Sequence, residues 1–370
     1  MIDPISLAYA IIALTSIAVA AYAFKLHINI KQRLLGNKSL NKGPSVKELY
    51  IYPIKSCGEI SLSSAKVTPI GFEHDRILQV VSRAASSSAD FSFCTPREKR
   101  FERLFHIKPK LKLLVGDDGT TTTTLELTSQ HAKEGFVLRL EKCLSMFGSM
   151  TTVPTIVTTM GAGLHQLEDC GTDVADWLQE AIGIAGCRLV GISDKFHRYV
   201  QVNNDQGDAI PTDGGSGVPS PSVSLADEAP FLLTTLASLK DLNKRLGEGK
   251  MIDMRRFRPN IVIDGLEPWE EDSLKRIRIG SVEFHVWQRC GRCTMTTIDR
   301  DTLKRCGEPL STLSTFRERD NGQRNFGMHI IPCNMENGQR VVCVGDEVEI
   351  LEYDEERRAE WMRLFYRNKK

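Results

Sequence analysis

The densest group of reactive side chains is Trp287-Gln288-Arg289-Cys290-Gly291-Arg292-Cys293-Thr294-Met295-Thr296-Thr297-Ile298-Asp299. Its Cys-x-x-Cys pair admits several chemistries. Structural zinc needs four ligands, and neither a second such pair nor a closely spaced histidine pair accompanies Cys290 and Cys293. A thioredoxin-like redox pair calls for a helix opening at the first cysteine. Here the pair follows a strand pattern and precedes a β-branched run. A third reading is a single working thiolate beside Arg292, whose charge favours the ionised sulfur. Such a sulfur suits a soft, high-valent or copper-like metal. Two cysteines packed in a core are the plain alternative.

Three further segments carry groups that a ligand could meet. Phe257-Arg258-Pro259-Asn260 sets an always-charged fork and an amide just before a strand pattern. Arginine suits phosphates and planar heterocycles, and asparagine offers both donor and acceptor edges. Tyr52-Pro53-Ile54-Lys55-Ser56-Cys57 puts Lys55 and Ser56 beside a proline-fixed turn, a phosphate contact in type. Asp75-Arg76 opens another strand. Taken singly, each is more often a surface charge or a structural ion pair.

Taken in order, Tyr-Pro-x-Lys-Ser, Asp-Arg, Arg-Phe-Arg-Pro-Asn and Arg-Cys-x-Arg-Cys-x-x-Thr-Thr-x-Asp resemble the MOSC proteins. Among these they resemble the mitochondrial amidoxime reducing components, which are outer-membrane molybdenum enzymes. The resemblance runs over residues 45 to 352 and takes in Asp169-Cys170-Gly171, Asp227 to Phe231, Glu308-Pro309-Leu310 and Phe326-Gly327. It implies an α+β, β-rich fold, with a MOSC β-barrel domain preceded by a MOSC N-terminal β-barrel domain. It also implies a molybdenum cofactor, a molybdopterin whose molybdenum is bound by a protein cysteine. Carried over residue by residue, Cys293 matches the metal ligand and Arg292 a neighbouring cofactor contact. Lys55, Ser56, Arg76, Arg258 and Asn260 match positions that grip the pterin and its phosphate. Cys290 matches a less critical first cysteine. Asp299, Phe316-Arg317 and His329 fall in pocket-lining segments, Asp299 as a candidate proton relay and His329 as a cofactor contact. Glu228 and Ala229 stand where relatives carry hydroxyl residues, and an acid beside a phosphate is unfavourable unless it faces away. Gly291 replaces a serine of some members, leaving only backbone there.

The implied chemistry is reductive removal of oxygen from a small N-hydroxylated substrate. No ferredoxin-like cysteine spacing follows Leu351, and no Gly-x-Gly-x-x-Gly fingerprint links a strand to a helix. Separate electron donors are therefore expected, a cytochrome b5 and an NADH-cytochrome b5 reductase by resemblance. MOSC domains also occur fused to cofactor sulfurases, so a molybdenum cofactor carrier or sulfur-transfer module is the alternative. Pyridoxal phosphate is an association of those fusions at domain level only, since no lysine-bearing domain for it is present here. A catalytically silent membrane scaffold is the third reading.

The elements that must hold these groups are mostly strands. Leu49 to Tyr52, Ile77 to Val81 and Leu111 to Val115 are short apolar runs between turn signals. Asp117-Asp118-Gly119 entering Thr120 to Thr124 predicts a hairpin. Ile277 and Ile279 alternate with Val282, Phe284 and Val286 across Gly280-Ser281, a second hairpin. Val341 to Leu351 predicts a late strand pair around Gly345-Asp346. Val174, Trp177, Leu178, Ala181 and Ile182 recur at helical spacing, with Thr172 or Asp173 as N-cap. A second helix follows from Thr235 with Leu236, Leu239, Leu242 and Leu246 on one stripe.

Residues 4 to 24 carry no charge, and about 20 apolar residues span the hydrocarbon core of a bilayer. Asp3 precedes the stretch, while Lys25, Lys31, Arg33, Lys38 and Lys42 follow it. A basic flank on that side leaves the body cytosolic, in the mitochondrial outer membrane by resemblance, or else the endoplasmic reticulum. A cleaved secretory signal would show the opposite flank and a shorter core. The expected division is an anchor over 5–24, a basic stalk over 25–44, an N-terminal barrel domain over 45–170 and a MOSC domain over 171–352. A long loop at 203–224 interrupts the second domain, and a charged helix closes the chain over 353–370. The 370 residues carry a net charge of +1 from 48 basic and 47 acidic side chains, which gives no sign of a nucleic-acid partner. Ten cysteines are too few for a disulfide scaffold in a chain of this length, and most are expected reduced and buried.

Overall fold

Val282, Phe284 and Val286 are buried along the strand Val282–Gly291 while Glu283 and His285 are half-exposed. This period of two marks a sheet with one face on a core. The strand turns back at Gly280, whose φ of 55° suits a tight hairpin. Ile279 then faces Val282, and Ile277 faces Phe284, in the strand Leu274–Ile279. The computed structural model describes residues 43–83, 91–115, 121–140, 156–159, 164–193, 196–200, 222–318, 322–333, 335 and 340–366. The expected anchor, nearly all of the stalk and most of the 203–224 loop lie outside them. Among the described residues no helix is long and apolar enough to cross a membrane.

The largest sheet has eight strands, in the order Val348–Tyr353, Leu274–Ile279, Val282–Gly291, Asn325–Pro332, Phe231–Thr235, Ile261–Asp264, Ser45–Ile51 and Ile60–Leu62. All neighbours are antiparallel except Phe231–Thr235 with Ile261–Asp264. Between that parallel pair runs the helix Leu236–Leu246, because a parallel return needs a crossover. Its N-cap is Thr235, where the sequence begins the helix, and the Thr235 hydroxyl accepts from the Ser238 N–H. Val46 N–H donates to the Asp346 carbonyl at 2.8 Å and Val348 N–H to that of Pro44 at 2.7 Å, joining the first strand to the last. The earliest described strands thus complete a sheet built mainly from the second half of the chain. Gly327, at φ 80°, has no room for a Cβ, which would lie 2.6 Å from the Leu233 carbonyl oxygen of the next strand.

A five-stranded sheet, Ile156–Thr159, Leu164–Asp169, Arg188–Gly191, Leu78–Arg83 and Phe91–Phe93, packs with the helix Thr172–Ile182 around a second core. The predicted hairpin appears as Lys108–Val115 paired with Thr121–Thr128. Two local expectations are corrected. The first helix is capped by Gly171, at φ 105°, with the Asp169 carboxylate accepting from the Gly171 N–H, and not by Thr172 or Asp173. The late strands do not pair with each other. Arg340–Cys343 pairs with Ser64–Thr68 and Val348–Tyr353 with Leu274–Ile279, because the Gly345-Asp346 turn hands the chain from one sheet to another. The nine described cysteines are free, but only Cys57, Cys94, Cys187 and Cys290 are buried, so burial holds for fewer than expected.

Behind the eight-stranded sheet lies a closed polar cluster. Arg317 donates to both oxygens of the buried Asp272, and Arg289 to Asp272 and Glu360. Next to it, Glu271 accepts from Ser238 Oγ at 2.8 Å. Burial, reinforced by the Asp272 charge, pushes the Glu271 carboxyl from 4.5 up to about 7. Between those values the folded chain keeps a proton that the unfolded chain has released. This contribution to stability is present below pH 4.5 and is lost as pH rises to about 7. Glu271→Gln is expected to flatten that slope, raising stability relative to wild type above neutrality more than in acid. Urea midpoints across the window measure it, and an unchanged pH dependence would refute it.

Candidate functional site

A cavity of about 290 Å³ opens where four turns meet. Lys55 and Ser56 come from the turn after the strand Ser45–Ile51, and Arg76 from the turn before Leu78–Arg83. Arg258 and Asn260 come from the segment entering Ile261–Asp264. Arg292 and Cys293 stand just past the end of Val282–Gly291, and His329 on Asn325–Pro332 lines the cavity as well. Residues far apart in sequence are thus brought to one place.

Three of the lining residues have left-handed backbones: Ser56 (φ 71°), Arg76 (φ 51°) and Arg258 (φ 57°). Such a conformation costs a non-glycine residue about 1 kcal/mol or more and persists only where the surroundings enforce it. Beside Arg76 lies Asp75, 1% exposed. Its carboxylate accepts from the Tyr52 N–H at 2.7 Å, from Arg76 at 2.5 Å and from the Asn260 amide at 3.0 Å. The Asn260 amide also donates to the Tyr50 carbonyl, while its oxygen accepts from Leu232 N–H and from Arg76. Those bonds use its whole hydrogen-bonding capacity. Asn260 therefore holds Arg76 in place from behind, and no edge is left to read a ligand.

Arg76 and Arg258 both lie over the Tyr52 ring, 4.8 and 4.1 Å from its centroid, within cation–π reach. Burial pushes the Arg258 guanidinium down to about 10, with Tyr52 opposing and Arg300 and Arg76 assisting. Burial likewise lowers Lys55, whose ammonium meets Asp227 at 2.5 Å. In all, Lys55, Arg76, Arg97, Arg256, Arg258 and Arg292 face the cavity against Asp227 and Glu228. The chain as a whole is nearly neutral, so this excess is local. It suits a multiply charged anion such as a phosphate monoester.

The two cysteines part company. Cys293 is exposed and lines the cavity. Cys290 is buried, and burial pushes its thiol up to about 11. The expectation that Arg292 attends Cys293 is corrected. Its guanidinium donates to Cys290 Sγ at 2.7 Å and to the Phe257 carbonyl at 2.6 Å, because position 292 follows a strand residue and turns inward. Asp299 does not line the cavity. It accepts from Arg256 at 3.0 Å and from the Thr302 hydroxyl and N–H, so it steadies Arg256 from outside. Burial would raise its carboxyl, but the Thr302 bonds and Arg256 hold it below the usual range. Phe316 and Arg317 also lie elsewhere, against Trp269 and Asp272.

Several lining groups escape sequence reasoning. Arg97 follows Thr95-Pro96 directly after a strand, the same proline-and-cation arrangement as at Lys55, and that likeness was the available signal. Arg256, two residues before Arg258, bonds to the Thr296 carbonyl at 3.2 Å. The partnership of Asp227 with Lys55 spans 172 positions, and no local pattern announces it. Arg198 donates to the carbonyls of Ser224, Ala226 and Asp227, fixing the loop that carries both acids.

Among the described residues no three His, Cys, Asp or Glu side chains converge as a metal cage. A metal here would take one sulfur from the chain and its other ligands from a cofactor. The residues present fit that arrangement. An exposed thiol shares a wall with six cations, and the buried Arg292 Nε and His329 Nδ1 have no hydrogen-bond partner among the described residues.

Two outcomes follow from this geometry. Asp75→Ala strands a buried guanidinium and is expected to cost about 3–5 kcal/mol, read as the shift in denaturation midpoint; a loss below about 1 kcal/mol would remove Asp75 as the organiser. Brief alkylation of the folded chain is expected to modify Cys293 and Cys306 well before Cys290. Peptide mass analysis checks the order, and equal labelling of Cys290 would contradict its burial.

The MOSC N-terminal beta barrel domain model matches residues 43–185, and the MOSC domain model matches residues 220–349. The chain is similar to mitochondrial amidoxime-reducing component 1 of Homo sapiens, at 29% identity over 362 residues and 93% of each chain. It is similar to the protein of that name from Mus musculus, at 30% over 329 residues, 84% of this chain and 81% of the other. The molybdenum cofactor sulfurase of Danio rerio is 28% identical over 316 residues, 82% of this chain but only 34% of that longer protein. The eight-stranded sheet, the cationic cavity and these two domain matches in order lead to one statement: the chain belongs to the MOSC family.

Proposed function

We propose that this chain is a molybdenum-cofactor-dependent reductase that removes oxygen from N-hydroxylated compounds, with electrons from external donors. One observation carries the reading, an exposed thiol at Cys293 on the wall of a cavity lined by six cations. When bound, the cofactor supplies two-electron redox chemistry at a metal with open coordination positions. The chain's own side chains do the holding. Cys293 would be the metal's sulfur ligand, while Lys55, Ser56, Arg76 and Arg258 grip the phosphate and the pterin through charge-assisted hydrogen bonds. Asp75 and Asn260 keep Arg76 aimed inward, and Arg256 is steadied by Asp299. Such pre-set positions matter because a ligand that need not organise its own site binds more tightly.

The similarity to relatives named mitochondrial amidoxime-reducing component 1 supports the choice of substrate class and of mitochondria. In this reading residues 5–24 anchor the body to the outer mitochondrial membrane through the 25–44 stalk. Residues 45–170 and 171–352 form the two domains, and a cytochrome b5 with its NADH-dependent reductase supplies the electrons. The similarity to molybdenum cofactor sulfurases favours a second reading, a carrier or sulfur-transfer module that binds the cofactor without turnover.

Metal analysis of the purified full chain is expected to find molybdenum, and Cys293→Ser to lose most of it along with all benzamidoxime reduction when the donors are supplied. Molybdenum without turnover would favour the carrier. A wild-type chain free of molybdenum after expression in a cofactor-competent host would end both readings.

A further inference from the structure

His329 lies midway along Asn325–Pro332, with Leu232 opposite on one side and Gln288 on the other. It is 6% exposed, and Trp287 stands edge-on to it at 6.2 Å. Its Nδ1 is sealed from solvent and has no hydrogen-bond partner among the described residues. Leaving a buried polar atom unpartnered costs about 1–3 kcal/mol, and such atoms cluster where they have a task. The acid facing it is Glu228, whose Oε2 is 3.8 Å from Nδ1. That is too long for a hydrogen bond and about 1 Å from one, within a small rotation of the carboxylate. The Glu228 side chain is 49% exposed, so one carboxylate lies between solvent and the imidazole. Both residues line the cavity that holds Cys293.

We infer that Glu228 and His329 form a proton-delivery path from solvent into the cavity, His329 handing a proton to the oxygen that leaves the substrate and Glu228 resupplying it. This inference rests on the reductase reading. For a hydroxylamine R–NH–OH, the N–O bond breaks and two electrons arrive singly from an external one-electron donor protein, which is oxidised. One proton goes from His329 to the departing oxygen and a second from water to nitrogen, giving R–NH2 and water. Two protons and two electrons are consumed, and His329 is reprotonated through Glu228. The charged groups facing the imidazole are Glu228 and Asp227 from the loop held by Arg198, Arg292 from the strand end and Arg76 from its turn. Burial pushes the imidazole below its usual pKa, Arg292 and Arg76 add to that push, and the two acids oppose it. The geometry also gives Glu228, set where relatives are expected to carry a hydroxyl, a role other than contact with a phosphate.

The test uses the full chain loaded with molybdenum cofactor and reduced by a viologen dye, so that donor docking does not enter. In parallel, the imidazole ring proton signals of cofactor-free protein are titrated by NMR. The chain has 8 histidines, and His329 is identified by the signal lost in His329→Gln. In Glu228→Gln, a change on a half-exposed side chain, the His329 midpoint is expected to move to lower pH. The alkaline limb of kcat, where the donor proton of His329 is lost, is expected to move with it. His329→Gln is expected to keep its molybdenum and lose about 100-fold in kcat, the scale of a missing general acid. A His329 midpoint unmoved by Glu228→Gln, or wild-type kcat in His329→Gln, would overturn the path. Loss of molybdenum from His329→Gln would make it a cofactor contact and overturn the path as well. A wild-type chain that lacks molybdenum or turnover overturns the reductase reading itself, a result separate from the NMR titration.

Discussion

The site depends on one buried carboxylate. Asp75 ties the backbone after the first strand, the Arg76 side chain and the Asn260 amide into a single knot. A carboxylate taken out of water is tolerated only with a matched cation and hydrogen bonds to its other lone pairs, and here it has both. The knot holds the Arg76 head, which lies over Tyr52 as Arg258 does, and both arginines have positive φ and line the cavity. The orientation of the cationic wall is therefore a property of packing and not of charge alone.

A second buried cluster shows the difference between structure and site. Behind the sheet, Arg289 and Arg317 close upon Asp272 and Glu360, and guanidinium donors meet carboxylate oxygens. Around the cavity, six cations face two acids, both partly exposed. A guanidinium stays charged in either setting; the first arrangement is satisfied internally, while at the cavity six cations still outnumber the four acids Asp75, Asp227, Glu228 and Asp299. That surplus, next to an accessible thiol, is the physical content of the proposed cofactor site.

Much of this was legible along the chain. Apolar alternation marked the strands from Leu274 to Gly291 and the stripe on Leu236–Leu246, because side-chain period is set by local backbone geometry. The order of Lys55, Arg76, Arg258, Asn260 and Cys293 resembled one family, and these residues share a cavity. Pairing of the late strands was misread, since a turn at Gly345-Asp346 serves a hairpin and a change of sheet equally well. Asp299 and Arg317 sat in the right segments but faced away from the cavity, a choice made by Arg256 and Asp272 across the fold.

The sequence by itself determined the residue types of the candidate site, the strand-rich class and the stretch of chain that carries its exposed thiol. These depend on neighbours within a few positions. Only the tertiary structure decided which sulfur Arg292 serves, that Asn260 is fully spent on the scaffold, and that Glu228 faces a histidine a hundred positions away. Those outcomes follow from where buried donors and acceptors find partners. That search runs across the whole fold, so no window of the sequence contains its result.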